Sequence, residues 1–168
     1  LTDDKYHQYL GNAIPKVNLG WSNTLSYKGF DLNMQFTGQF GAKILNEARA
    51  YYENNAVVYN RLKSAADKQY GQNVLSIAQK QTFVSYYLEN GNYVKLSNLT
   101  LGYTVPLKSN KYAKNIYVYL SGSNLFTITG YKGLDPELSN IDPLSSGIDG
   151  RDKYPSIRTF TLGAKFTF

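Results

Sequence analysis

The stretch FDLNMQFTGQF, Phe30–Phe40, alternates between two kinds of side chain. Its even positions are Phe, Leu, Met, Phe, Gly and Phe, whereas its odd positions are Asp, Asn, Gln, Thr and Gln. Successive side chains of a β-strand point to opposite faces of the sheet. The stretch is therefore predicted to be a long strand with one apolar face and one hydrogen-bonding face.

Four other segments repeat this period of two residues, and together the five predict an all-β, antiparallel fold. Asn23 is an exception on the apolar face of the first segment. The alternation slips by one residue near Ser97-Asn98, which predicts a β-bulge. The predicted strands cover about residues 16–27, 30–41, 93–105, 116–128 and 157–168.

The length of these strands favours a membrane barrel. Strands of soluble domains have about five or six residues, whereas a tilted strand that crosses a bilayer needs about nine to eleven. The connections also alternate, with short turns at Lys28-Gly29 and 107–115 and long loops at 42–90 and 129–156. Outer-membrane barrels sort their connections in this way, with short periplasmic turns and long extracellular loops.

The polar face is assigned to the barrel interior, because the carboxylate of Asp31 belongs in water. The apolar face then meets lipid. The residues predicted to face the membrane are Leu32, Met34, Phe36, Val118, Leu120, Phe160 and Leu162.

The composition excludes several other classes. The chain has no Cys, so disulfides and thiolate sites are ruled out. Its net charge is +6, but the Lys and Arg residues are scattered, so we expect no nucleic-acid partner. No apolar run is long enough for a transmembrane helix, and the first residues do not form a signal peptide.

No catalytic constellation is visible, so we expect no enzyme and no cofactor. His7 is the sole histidine and lies outside the predicted strands. The acidic residues of the 129–156 loop suit either a Ca²⁺ site or turns stabilised by Asx side chains, and a metal is left open. They are Asp135, Glu137, Asp142, Asp149 and Asp152.

The long loop 42–90 is predicted to contain short helices. One patch runs from Val58 to Ala66, and a second begins at Asn73 and continues to Ala78. Packing against neighbouring segments explains these patches, and so does contact with a partner or substrate. Aromatic rings stack on sugars and anchor interfaces, so the candidate contact residues are Tyr51, Tyr52, Tyr59 and Tyr70.

Five strands are too few to close a barrel, since bacterial single-chain barrels have an even number of at least eight. Residues 1–168 are therefore predicted to be the last five strands of a larger barrel, with Phe168 at its C-terminus. Unpaired edges in lipid are costly, so this piece alone is expected to be unstable.

Three motifs carry a family resemblance, and they occur in the expected order. YVKLSNLTLGYTVP at Tyr93–Pro106, VYLSGSNLFT at Val118–Thr127 with TGYKGLDPE after it, and YPSIRTFTLGAKFTF at Tyr154–Phe168 resemble the end of SusC/RagA-type TonB-dependent outer-membrane transporters. Pro15–Gly41 resembles an upstream hairpin of the same family.

The resemblance implies a barrel of about 22 strands in the bacterial outer membrane, with a plug that lies outside this sequence. It implies energised uptake of oligosaccharides or oligopeptides through TonB, with a SusD-like surface lipoprotein as partner. The alternatives are a soluble β-sandwich that binds glycans and an outer-membrane barrel that acts as an adhesin or enzyme.

Overall fold

The computed structural model describes residues 7–56, 60–68, 71, 73–78, 85–107, 114–137 and 143–168. The strands are β1 Val17–Tyr27, β2 Phe30–Phe40, β3 Lys43–Asn46, β4 Leu88–Asn90, β5 Tyr93–Pro106, β6 Asn115–Thr129, β7 Ile148–Asp149 and β8 Thr159–Thr167. The α-helix α1 is Glu47–Tyr52, and 3-10 turns lie at Lys63–Ala66, Ser85–Tyr87 and Pro143–Ser145. Within these ranges, no helix combines the length and hydropathy needed to cross a membrane.

The chain divides into two compact units. The strand unit consists of Val17–Gln39, Tyr93–Thr129 and Ser156–Phe168, and the loop unit consists of Leu1–Lys16, Phe40–Asn92 and Gly130–Pro155. The predicted set of five long antiparallel strands is confirmed as one sheet in the order β1-β2-β5-β6-β8.

The register places residues of similar polarity opposite one another across this sheet. Leu32 lies opposite Leu101, which lies opposite Leu120, which lies opposite Leu162. The next row on the other face is Asn33, Thr100, Ser121 and Thr161. Because a shift of one residue would exchange the two faces, these matched rows fix the pairing.

The predicted bulge is confirmed. The pairing of β5 with β2 and with β6 shifts between Leu96 and Asn98, so Ser97 lies outside both ladders. On either side of the shift, apolar residues stay on one face, because Leu99 pairs with Met34 and Leu96 with Phe36.

The turn between β1 and β2 needs two residues with positive φ. Lys28 has φ 48° and Gly29 has φ 86°, the combination that a tight hairpin turn favours. The carbonyl of Gly29 also accepts a hydrogen bond of 2.7 Å from the Thr104 amide of β5. This bond joins the turn of the β1–β2 hairpin to strand β5.

The loop unit has a small sheet of its own in the order β4-β3-β7, with β3 and β7 parallel. Helix α1 follows β3 directly, and the side chain of Asn46 caps it by accepting a 2.8 Å hydrogen bond from the Arg49 amide. Short helices in the 42–90 loop were predicted correctly, and the turn at Lys63–Ala66 lies within the predicted patch from Val58 to Ala66. Helix α1 was not predicted. Residues 73–78 form no helix, because a helical pattern this short has little stability of its own.

Candidate functional site

A buried arginine joins three segments of the loop unit. The Nε of Arg49 donates to Glu53 over 2.7 Å, its Nη1 donates to Glu89 over 2.9 Å, and its Nη2 donates to the Tyr86 hydroxyl over 3.0 Å. The guanidinium also lies 4.8 Å from the centroid of the Tyr86 ring and 5.6 Å from that of Tyr87. Glu53 is 1% exposed, and its Oε2 has no partner among the described groups.

The electrostatics of this cluster keep the arginine charged. Burial by itself would lower the pKa of Arg49, but the hydrogen bonds and charges of Glu89 and Glu53 outweigh burial and raise it above its ordinary value. A second hydrogen bond joins the 130–150 segment, since Oε2 of Glu89 accepts from the Lys132 amide over 2.8 Å. The cluster therefore holds α1, β4 and the segment before β7 together.

A second buried pair lies in the acidic loop. The hydroxyl of Tyr131 donates to Oδ2 of Asp149 over 2.5 Å. Burial raises the pKa of both groups above their ordinary values, although the Tyr131 hydrogen bond and the charge of Lys153 partly oppose the shift at Asp149. Asp135 is also buried, and its Oδ1 accepts from the Glu137 amide over 3.0 Å, as in an Asx turn.

Across the described ranges, no group of three or more His, Asp or Glu residues is arranged to hold a metal ion. Asp142, one of the five acidic residues of this loop, lies outside those ranges. The contacts of Asp135 and Asp149 are those of turn and core stabilisation.

The candidate contact tyrosines divide into two groups. Tyr51 and Tyr52 lie in α1, with ring centroids 5.2 Å apart in an edge-on arrangement, and Tyr51 is 42% exposed. The guanidinium of Arg151 covers the Tyr51 ring, with its Cζ 4.2 Å from the centroid. Tyr59 and Tyr70 lie outside the described residues.

The polar face of the strand unit carries hydrogen-bonded hydroxyl, carboxamide and carboxylate groups. Adjacent strands are linked by pairs of these side chains, which stabilise a sheet much as cross-strand apolar pairs do. The pairs are Ser26–Asp31 and Thr24–Asn33 at 2.5 Å, Thr37–Ser97 and Asn98–Ser123 at 2.7 Å, and Thr100–Ser121 at 2.9 Å. A cavity of about 150 Å³ opens among Ser22, Thr24, Asn33, Gln35, Asn98 and Thr100.

The apolar face of the strand unit remains accessible. Val118 is 40% exposed, Leu120 51%, Phe160 69% and Leu162 76%. Leu32, Met34 and Phe36 are half-buried, and the Phe36 ring stacks on that of Trp21 at 5.3 Å. Phe168, just beyond β8, is also exposed. Apolar surface this extensive is a property of interfaces with lipid or with another protein.

Comparison with known proteins shows which proteins this chain is similar to. The chain is 31% identical to TonB-dependent receptor P3 of Formosa agariphila over 95% of its own length and 17% of that protein. It is 27% identical to TonB-dependent receptor SusC of Bacteroides thetaiotaomicron over 90% of its length and 15% of SusC. The chain is homologous to the TonB-dependent receptors. It spans less than a fifth of the length of these relatives.

Solved structures agree with this relationship to the TonB-dependent receptors. The structure superimposes on a chain of the RagAB peptide importer in its closed-closed state with a TM-score of 0.81 and 26% identity, covering 96% of this chain and 18% of that one. The open-open state gives a TM-score of 0.75 and 27% identity over 92% of this chain and 17% of that one. No protein-family model matches the chain. The predicted SusC/RagA resemblance and all-β fold are confirmed.

Sequence reasoning missed the Arg49 cluster of the loop unit. A signal was present, because Arg49 and Glu53 stand four residues apart, the spacing of an ion pair on a helix. The pairing with Glu89 had no such signal, since β4 is distant in sequence from α1.

Proposed function

We propose that the chain forms wall strands and extracellular loops in the barrel of a TonB-dependent importer of the bacterial outer membrane. In this arrangement the apolar face, including Leu120 and Leu162, contacts lipid, and the polar face, including Ser121 and Thr161, lines the interior. The observation that supports this most directly is the pair of matched rows, because an exposed apolar row backed by a hydroxyl row suits a sheet between hydrocarbon and water.

The transported nutrient is proposed to be an oligosaccharide or an oligopeptide. The proposal draws on the relatives, which include SusC and a peptide importer. Energy from TonB would enter through parts of the protein outside this chain, and a SusD-like surface lipoprotein would assist at the extracellular mouth. In this scheme the described residues supply the wall and the vestibule and carry out no covalent chemistry.

A soluble β-sandwich would bury the same apolar face beneath a second sheet. In the described part of the chain, Phe160 and Leu162 have no such cover. Cysteine labelling tests the choice directly, and residues 1–168 contribute no Cys of their own to the background.

The experiment compares Leu120→Cys with Ser121→Cys, and Leu162→Cys with Thr161→Cys, in the full-length protein in outer membranes. We expect Leu120→Cys and Leu162→Cys to resist a water-soluble maleimide and to react with a lipid-soluble one. Ser121→Cys and Thr161→Cys should show the opposite preference. Equal labelling of neighbouring positions by the water-soluble reagent would contradict the barrel.

Import is tested separately by growth of a deletion strain on oligosaccharides or peptides as sole nutrient. Complementation with the full-length gene should restore uptake, and deletion of the segment of the full-length protein that binds TonB should abolish it. A barrel that labels as expected but supports no uptake would instead favour an adhesin or enzyme.

A further inference from the structure

The exposed guanidinium of Arg151 is stacked on Tyr51 but makes no ion pair within the described part of the chain. Arginine carries five N–H donors around the edge of its planar group, so stacking on a ring leaves those donors available. The geometry points to Arg151 and Tyr51 as a binding site for a carboxylate group of the transported substrate.

Both side chains are held by the small sheet of the loop unit. Tyr51 belongs to α1, which begins where β3 ends, and its ring and the ring of Tyr52 are nearly perpendicular, with centroids 5.2 Å apart. Arg151 follows β7, which pairs in parallel with β3 through Leu45–Ile148 and Asn46–Asp149. Since both partners extend from paired strands, a ligand finds them already oriented and binding costs less conformational entropy.

Strand β7, which precedes Arg151, is anchored further by hydrogen bonds. The Leu45 amide donates to the Gly147 carbonyl over 2.7 Å, and Asp149 accepts from Tyr131. These bonds lie immediately before Arg151 in the chain, so they limit the movement of its backbone. Rigid support of this kind is what a site needs to recognise a planar group by two parallel hydrogen bonds.

Two carboxylates near Gly150 restrict the kind of ligand. A Cβ built on Gly150 would lie 2.8 Å from Oδ1 of Asp152 and 3.7 Å from Oε2 of Glu47. Their negative charges oppose the accumulation of anions in general, so recognition depends on the paired donors of Arg151 and not on a broad positive field. An oligomer with isolated carboxylates fits better than a dense polyanion.

Two kinds of substrate supply such a group: an oligosaccharide that contains uronic acid and a peptide with an acidic side chain. In both, the apolar face of a sugar ring or a side chain can pack beside the Tyr51 and Tyr52 rings. The inference rests on the proposed function, because it assigns the ligand of the importer.

Calorimetric titration of the full-length protein in detergent tests the site. The probes are a hexasaccharide with a single uronic acid residue and an acetylated, amidated hexapeptide with one Glu. Their neutral counterparts are the methyl ester of the same hexasaccharide and the same peptide with Gln. We expect Arg151→Gln to weaken binding of an acidic probe by roughly tenfold to a hundredfold and to leave the neutral counterpart unchanged. Arg151→Lys should recover only part of the loss, because an ammonium cannot bind both oxygens in parallel.

Arg61→Gln is the matched control, since Arg61 is another exposed arginine of the loop unit. It should bind all probes as the wild type does, and heat-modifiable migration on gels shows whether each variant is folded. Equal affinity of the wild type and Arg151→Gln for the acidic probes, or binding of neither acidic probe, overturns the inference.

A further outcome also overturns the inference: Arg151→Gln binds the probes as the wild type does but no longer co-purifies with the surface lipoprotein. Arg151 would then belong to a protein interface. Failure of the importer proposal would appear separately, in the cysteine labelling, which does not involve Arg151.

Discussion

Arg49 forms ion pairs with two carboxylates in the loop unit. Its side chain is 10% exposed, and its two ion-pair partners, Glu53 and Glu89, are 0% and 9% exposed. A buried pair contributes little net stability compared with an apolar replacement of the whole group. Removal of one member is costly, however, because the remaining charges stay buried without compensation.

We therefore expect Arg49→Met to destabilise the loop unit by about 3 kcal/mol, since two carboxylates lose their cation. Amide hydrogen exchange of the full-length protein would measure this as faster exchange in residues 43–53 and 85–90. Arg61→Met, at an exposed position, should leave exchange unchanged. Unaltered protection in Arg49→Met would show that the cluster does not hold the three segments together.

Asp149 should make the stability of the loop unit depend on pH. Burial raises the pKa of Asp149 in the folded chain above its ordinary value of 3.8. The folded form thus binds this proton more tightly than the unfolded form does, and the contribution of Asp149 to stability increases as the pH falls from neutral through the raised pKa. Below 3.8 that contribution is fully present, and it is lost again as the pH rises.

The comparison that isolates this effect is between the wild type and Asp149→Asn. Hydrogen exchange of the loop unit, corrected for the intrinsic effect of pH, should show a gain in protection on mild acidification that Asp149→Asn lacks. Asp152→Asn, at an exposed position, should retain the gain. The same pH profile in the wild type and Asp149→Asn would rule out Asp149 as its source.

At the scale of elements, tyrosines of β6 lie over glycines of its two neighbours. Tyr119 is opposite Gly102 on β5 and Gly163 on β8, and its ring occupies the space that a Cβ on Gly163 would need. The Tyr117 hydroxyl covers Gly102 in the same way, and the two rings stack at 5.9 Å. An aromatic ring that covers a glycine on the adjacent strand shields the backbone there, because glycine has no side chain of its own.

Gly163→Ala should therefore destabilise the barrel by about 1–3 kcal/mol, because the new methyl group displaces the Tyr119 ring. Urea unfolding of the full-length protein in detergent would measure the change. Gly20→Ala is the matched control, since no atom lies within 4 Å of a Cβ built there. When Tyr119 is also replaced by Ala, Gly163→Ala should lower the free energy of unfolding by less. Fully additive effects of the two substitutions would argue against the contact.

At the scale of the whole molecule, the bilayer is the predicted partner of the apolar face. Arginine on the lipid face of a barrel near the midplane costs about 2–4 kcal/mol. We expect Leu162→Arg, in the middle row of the sheet, to destabilise the protein in lipid vesicles by this amount. Thr161→Arg, on the opposite face of the same strand, should cost much less. Similar losses for the two substitutions would contradict a lipid-facing Leu162.

The strand unit was largely predictable because its information is local. Side chains alternate along each strand, so neighbouring residues alone predict the two faces of Phe30–Phe40, the slip at Ser97 and the turn at Lys28-Gly29. The candidate site was less predictable. Tyr51 and Tyr52 were selected by residue type, but neither the stacking of Arg151 on Tyr51 nor the burial of Glu53 has a pattern in the chain.

The sequence by itself determined which side chains share a face, since a strand repeats every two residues whatever surrounds it. Only the tertiary structure decided how the long connections fold. The pairing of β3 with β7, the Arg49 cluster and the contact of Arg151 with Tyr51 join residues far apart in sequence. Such contacts form between buried polar groups that meet only in the folded chain, so no local period in the sequence predicts them.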